Sequence, residues 1–176
     1  SIGETVVSEH LWWRGLDRID YVVATHADAD HIEGLNDVVR NFSVRSALVA
    51  RTPGLDPEYS KFAQTLTVMK THVETIQAGD RLQFGSVTIK VLWPYASNDP
   101  DASSANNDSV VLQLTFGDDS ILFTGDIEKQ AELQILASNT DLHADVVKVP
   151  HHGSRSSSTE AFVRATSPKY AIISVG

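Results

Sequence analysis

Cysteine is absent from this chain. That excludes disulfides, thiolate zinc sites and cysteine nucleophiles, while leaving the redox compartment open. No apolar run approaches the roughly 18 residues of a membrane span. The opening residues, SIGETVVSEH, hold neither a basic n-region nor an apolar h-region, so no signal peptide is read there. An excess of positive charge is missing too. The formal net charge is −9, which argues against a protein that holds duplex DNA by its whole surface. Any nucleic-acid substrate would need local positive groups or bound cations. What remains is ordinary for a globular chain: 176 residues, 41% apolar and 21% charged. That is enough for a real core, and residues 1–176 read as a single domain.

Hydrophobic period places the elements. Residues 8–16 read as a short helix ending near Gly15. RIDYVVATH (18–26) reads as a strand, and HIEGLNDVVRNF (31–42) has apolar residues at helical spacing. SALVA (46–50) is a buried-type strand. RTPGLDP (51–57) is a turn by its Pro-Gly pair, and 58–70 is a helix. Alternation over 80–93 and again over 109–126 predicts two hairpins, turning at Phe84-Gly85-Ser86 and Gly117-Asp118-Asp119. Between them lies the one long polar stretch, YASNDPDASSANND (95–108), of a length usually reserved for function or disorder. Residues 127–138 are helical, 144–150 form a strand, and 158–166 form a helix with Ser157 or Ser158 as N-cap. A last strand closes the chain. This order predicts an α/β sandwich of two mixed sheets with helices outside.

The chemistry collects where strands end. THADADHIEGL puts His26, Asp28, Asp30 and His31 within six residues. ILFTGD delivers Asp126, and VVKVPHH delivers His151 and His152. Four of the seven histidines fall in these motifs. His10, His72 and His143 read as structural or exposed, and Lys148 as a strand residue facing solvent. His26 and Asp28 are two apart in an extended segment and can point the same way, whereas Asp30 and His31 open the next helix and project differently. Two ligand pairs suit a binuclear centre, and Asp126 could link them. Two metals together can generate a hydroxide and clamp both oxygens of a phosphodiester displacement. GSRSSS (153–158) has two readings. One is an anion site with close backbone approach at Gly153, hydroxyls from Ser154 onward and a bidentate Arg155. The other is a plain capping loop.

The motif HADADH resembles the His-x-His-x-Asp-His signature of the metallo-β-lactamase superfamily, with Asp28 in place of the second histidine. Together with NNDSVVLQL (106–114), LFTGDIE (122–128) and VVKVPHHGSRSSS (146–158), it is similar to the hydrolase domain of ComEC-type competence proteins. The resemblance runs from about Gly3 to Gly176. It implies an αββα fold, two divalent metals (Zn²⁺ or Mn²⁺, with Mg²⁺ possible) and nuclease activity. It also implies a soluble domain outside the cytoplasmic membrane, tethered to the transmembrane channel of the same longer polypeptide, with DNA as partner and no obligate protein partner. Carried over, His26 and Asp28 ligate one metal, and Asp30 and His31 the other. Asp30 and Asp126 are catalytic, with Asp126 also bridging, and His151 or His152 completes the second centre. Arg155, Ser154 and Asn107 would contact substrate. Asp28 hardens the site toward Mn²⁺ or Mg²⁺. The usual third-position histidine is missing, and Asn106, Asn107 or Asp108 stands where a substitute would come from. The family's opening strands and closing Gly-His-Pro segment are also missing, so the chain is expected to be a fragment. Two other readings are a free-standing hydrolase of a small ester, lactam or phosphodiester, and a non-catalytic domain that binds DNA or a partner.

Overall fold

The structure is a computed structural model and describes residues 1–50, 56–96 and 105–174. The expected turn at 51–57 lies largely outside the described residues, as does most of the polar stretch at 95–108. The chain divides into two compact units, Ser1–Ile76 and Gln77–Gly176. Among the described residues, no helix is long and apolar enough to cross a membrane.

The first unit carries β1 (Arg18–Ala24), β2 (Ser43–Val49) and β3 (His72–Thr75) in one sheet. Both pairings are parallel. The expectation of two mixed sheets is corrected here, because β1 and β2 are each followed by a helix that carries the chain back to start the next strand in the same direction. α2 (Ala29–Asn41) and α3 (Pro57–Met69) are those helices. The spacing that predicted α2 buries Ile32, Val38 and Val39 on one face, with Phe42 just beyond its end. They pack with Val22, Ala24, Phe62 and Leu66 in the core, and each large side chain so buried is worth about 1.5–3 kcal/mol. Asp56 caps α3, accepting from the Tyr59 N–H at 2.9 Å.

A π-helical turn, Gly3–Ser8, precedes α1 (Glu9–Trp13), so the first helix begins earlier than its sequence suggests. The turn lies against α2 backbone to backbone. A Cβ on Gly3 would come within 2.1 Å of the Gly34 carbonyl oxygen, and only a glycine permits that approach.

The second unit holds a six-stranded sheet in the order β4-β5-β6-β7-β8-β9. Its strands are β4 (Arg81–Phe84), β5 (Val87–Trp93), β6 (Val111–Phe116), β7 (Asp119–Phe123), β8 (Val146–Lys148) and β9 (Tyr170–Ile172). The first four pair antiparallel and the last three parallel. This sheet is mixed, as expected. The two hairpins turn through Gly85 and Gly117, both at positive φ, as tight two-residue turns require. α4 (Lys129–Ala137) and α5 (Glu160–Thr166) cover a core of Trp93, Val111, Leu122, Ile135 and Phe162. Thr159, rather than Ser157 or Ser158, caps α5, accepting from the Phe162 N–H.

Asp145 ties three of these strands together. Its carboxylate accepts from the Ser120 N–H at 2.8 Å and the Ser120 hydroxyl at 2.9 Å, and pairs with Lys169 Nζ at 2.8 Å. Lys169 and Ser120 hold this carboxyl well below the usual carboxylate range, and Asp145 in turn raises the Lys169 ammonium. A depressed folded-state value stabilises the fold above the unfolded value of about 4 and loses that contribution as the pH falls toward the folded value. The raised lysine contributes fully below about pH 10.4 and loses its share only as the pH rises past that value. Asp145→Asn is therefore expected to melt lower than wild type at neutral pH, with the gap narrowing below about pH 4. A gap that stays constant in thermal melts from neutral to strongly acid pH would contradict this linkage.

Candidate functional site

In the first unit, β1 ends at Ala24 and hands the chain to His26 in two steps. His26 is buried, at 7% exposure, and its Nδ1 lies 3.0 Å from the Thr25 hydroxyl. Asp28 is the N-cap residue of α2, but its side chain makes no capping hydrogen bond. Its Oδ2 is instead 3.7 Å from His26 Nε2, so the two point the same way, as the extended spacing predicted. Asp30 and His31 open α2, with 3.7 Å between Asp30 Oδ2 and His31 Nε2. The imidazole of His31 does not turn away from the first pair. Its ring centroid is 4.2 Å from that of His26, and ligand atoms of the two histidines lie within 4.8 Å of each other. One turn of helix therefore gathers the motif into a single cluster. Asp30 is the outermost member, with 67% of its side chain exposed.

In the second unit, Asp126 is the centre. It is 3% exposed, and its backbone N–H donates to Ser109 Oγ at 3.0 Å. Oδ1 meets Lys148 Nζ at 3.0 Å, and Oδ2 meets His152 Nε2 at 3.1 Å. Lys148 does not face solvent. Its side chain is 19% exposed, and its ammonium also donates to the Gly125 carbonyl at 2.9 Å. A parallel neighbour, β7, ends beside β8 and brings Gly125 and Asp126 to it. The signal in the sequence was a lone lysine inside the apolar run Val146-Val147-Lys148-Val149, just before His151 and His152.

The two adjacent histidines do different things. The chain turns through Pro150–Gly153 with His151 and His152 both at positive φ, 46° and 51°. For residues with a Cβ this costs roughly 1–2 kcal/mol each. Strain of that kind persists where surrounding structure fixes it, commonly at functional sites. His152 Nδ1 lies 2.7 Å from the Ser174 carbonyl. A carbonyl only accepts, so Nδ1 carries the hydrogen and Nε2 is aimed at Asp126. This is the usual way a ligand imidazole is oriented. A positive charge, proton or metal, reconciles that nitrogen with the carboxylate. His151 turns elsewhere: its Nδ1 is 3.4 Å from Glu128 Oε1 and 3.3 Å from Ser156 Oγ, which itself donates to Glu128 at 2.8 Å.

The remaining expected contacts are placed less directly. Asn107 is buried; its Oδ1 accepts from the Glu128 N–H at 2.9 Å and its carbonyl from Trp93 Nε1 at 2.6 Å. These bonds hold the loop that carries Glu128. Ser154 is half-buried beside Ser156, and Arg155 is exposed. The anion-site reading of GSRSSS loses its backbone donors, because the N–H groups of Ser158 and Thr159 go to the Glu132 carboxylate at 2.5 and 2.8 Å. Glu132 is fully buried. It lies on the buried face of α4 with Ala131 and Ile135. His10, His72 and His143 are exposed, the second of the two alternatives read for them.

Residues 7–156 match the family described as the beta-lactamase superfamily domain. The chain is 35% identical over its full length to ComE operon protein 3 of Bacillus subtilis (strain 168), covering 22% of that protein. It is 28% identical over 92% of its length to competence protein ComA of Neisseria gonorrhoeae, covering 21% of it. Recombination protein 2 of Haemophilus influenzae is 25% identical over the full chain, which covers 20% of it. The chain thus spans about a fifth of the length of these curated relatives. Among solved structures, the metallo-beta-lactamase fold protein YhfI from Bacillus subtilis aligns with 97% of the chain and 72% of its own length, with a TM-score of 0.52 and 14% identity. The diiron beta-hydroxylase CmlA from Streptomyces venezuelae aligns with 88% of the chain and 35% of its own, with a TM-score of 0.57 and 18% identity. These two likenesses show the fold. The domain has the metallo-β-lactamase fold and is similar to part of these relatives, a competence protein among them. Because the family match takes in every ligand candidate from His26 to His152, the chain belongs to the beta-lactamase superfamily domain family.

Proposed function

We propose that this chain is a divalent-metal phosphodiesterase that cleaves DNA, working as the extracytoplasmic domain of a longer DNA-uptake membrane protein. The observation that carries the metal reading is Asp126, a buried carboxylate with Lys148 on one oxygen and a backbone-oriented His152 on the other. Such an arrangement selects a cation. His26, Asp28, Asp30 and His31 are the ligands proposed from the first unit, and Asp126 and His152 those from the second. His151 is left to Glu128 and Ser156. A mixed imidazole and carboxylate set of this kind suits Zn²⁺ or Mn²⁺, and its oxygen content also admits Mg²⁺. A divalent ion bound there supplies Lewis acidity toward a phosphoryl oxygen and lowers the pKa of water. The DNA reading rests on the relatives, of which one is named as a competence protein, one for the ComE operon and one for recombination.

Asp30 provides the clean test, because its exposed side chain can be removed without disturbing a core. Metal content is measured on the purified domain. Cleavage of labelled single- and double-stranded DNA is then measured after chelation and after adding back Mn²⁺, Mg²⁺ or Zn²⁺. Metal-restored cleavage is expected, falling by about 100-fold or more in Asp30→Ala, since even outer-shell partners of metals are worth about 10–100-fold. Equal cleavage by wild type and Asp30→Ala would sink the reading.

A further inference from the structure

Away from the ligand clusters, the second unit has a groove of about 280 Å³ lined by both hairpin strands β4 and β5 and the residues after α4. Arg81 on β4 and Lys90 on β5 are directly paired in register, and both line it. Residues directly opposed on an antiparallel pair have Cβ atoms about 4.5–5.5 Å apart, and like charges so placed destabilise the sheet. Among the described residues, neither cation has a carboxylate within ion-pair distance. The acid in the groove, Asp80, is turned to the backbone, where its Oδ2 accepts from the Gln77 N–H at 2.9 Å. Tyr95 lines the same groove, with its ring partly exposed and set edge-on to Trp93. The hydroxyls of Ser138 and Thr140, hydrogen-bonded to each other at 2.8 Å, complete the wall.

We infer that this groove is a binding subsite for a single nucleic-acid strand, in which Arg81 and Lys90 share a backbone phosphate and Tyr95 stacks a base. An anion between the two cations removes the repulsion that the register imposes. It also gives a strongly acidic protein the local positive charge that a polyanionic ligand needs. An aromatic face beside a phosphate contact is the common arrangement for single strands. The shared chemistry with a free phosphate ion is the anion; the base on Tyr95 is what a strand adds. The inference takes the identity of the strand from the nuclease reading, but the groove needs no metal.

Binding is therefore measured in EDTA, where loss of hydrolysis cannot affect it. Fluorescence anisotropy of a short labelled single-stranded oligonucleotide is recorded for wild type, Arg81→Gln/Lys90→Gln, Tyr95→Ala and the control Lys61→Gln/Lys70→Gln. The first pair is expected to weaken binding about tenfold and to reduce the slope of log K against log salt by about 0.7, the value for the one phosphate that the two cations share. Tyr95→Ala is expected to weaken it about tenfold with the slope unchanged. The control should change it less than about twofold. The Arg81→Gln/Lys90→Gln variant should melt no lower than wild type, because a like-charge pair has been removed. Equal binding by wild type and this variant would overturn the inference. So would an equal loss in the control, or binding of inorganic phosphate with none of the oligonucleotide. If the groove binds as expected and no metal restores cleavage, it is the nuclease reading that fails.

Discussion

Glu132→Ala is expected to destabilise the domain by about 3 kcal/mol or more. Glu132 is fully buried, and its two oxygens accept from consecutive backbone N–H groups, Ser158 and Thr159. Hydrogen bonds to a charged group are worth about 1.5–3 kcal/mol each. The alanine variant loses both, leaves donors without an acceptor and opens a cavity beside Ala131 and Ile135. The relief of a buried charge offsets only part of this. Glu132→Gln keeps one acceptor and turns an amide toward the other N–H, so about half the loss is expected. Urea unfolding of the three proteins measures both, and an alanine variant within about 1 kcal/mol of wild type would refute the assignment. The effect should reach the site as well. The segment pinned by Glu132 begins two residues after Ser156, which holds His151 and whose carbonyl accepts from the Lys129 N–H at 2.9 Å.

Asp126→Asn is the substitution expected to remove most activity. It keeps the shape of the side chain and removes the charge that Lys148 and His152 both face. Metal affinity and DNA cleavage are each expected to fall by about 100-fold or more. In EDTA the variant should be less stable by about 2 kcal/mol, because a poorly solvated ammonium has lost its partner. With metal present at about 100 times the wild-type Kd, the gap should widen by up to about 2.7 kcal/mol, the linkage contributed by the bound ion. Adding Lys148→Met separates the two effects. The double variant should regain part of the stability in EDTA and none of the cleavage. Cleavage restored by the second substitution would mean that the lysine, rather than the carboxylate, sets activity.

Much of this was legible in the residues, for reasons that differ by element. Both hairpins and α2 follow from period, because each is long enough to show one, and the strand before His26 follows from a short apolar run that stops at the motif. The clustering of histidines at strand ends pointed to segments that the structure gathers into two compact clusters of imidazoles and carboxylates. Lys148 was not legible as a site residue. β8 is three residues long and too short to show a period, so a lysine there read as outward-facing. Its contact with Asp126 depends on a pairing 22 positions away in sequence. The same holds for Glu132, whose partners lie beyond a strand and a turn. The π-helical start and the parallel character of the first sheet depend on backbone approach and connection rather than on any side-chain pattern. The left-handed His151 and His152 run against propensity, and only their place beside Pro150 and Gly153 hinted at an unusual turn.

The two candidate clusters also differ in how the chain must assemble them. His26 and His31 meet across five positions, within one strand-to-helix corner. Asp126 and His152 are twenty-six positions apart and meet only after β8 has docked beside β7. Closing a loop costs about (3/2)RT ln n, so the longer separation adds about 1.5 kcal/mol of chain entropy that no local contact repays. Contacts of high sequence separation also form slowly. In a refolding experiment the first cluster should therefore be in place while the second is still open, and metal capture by the second unit would report completion of its parallel strands.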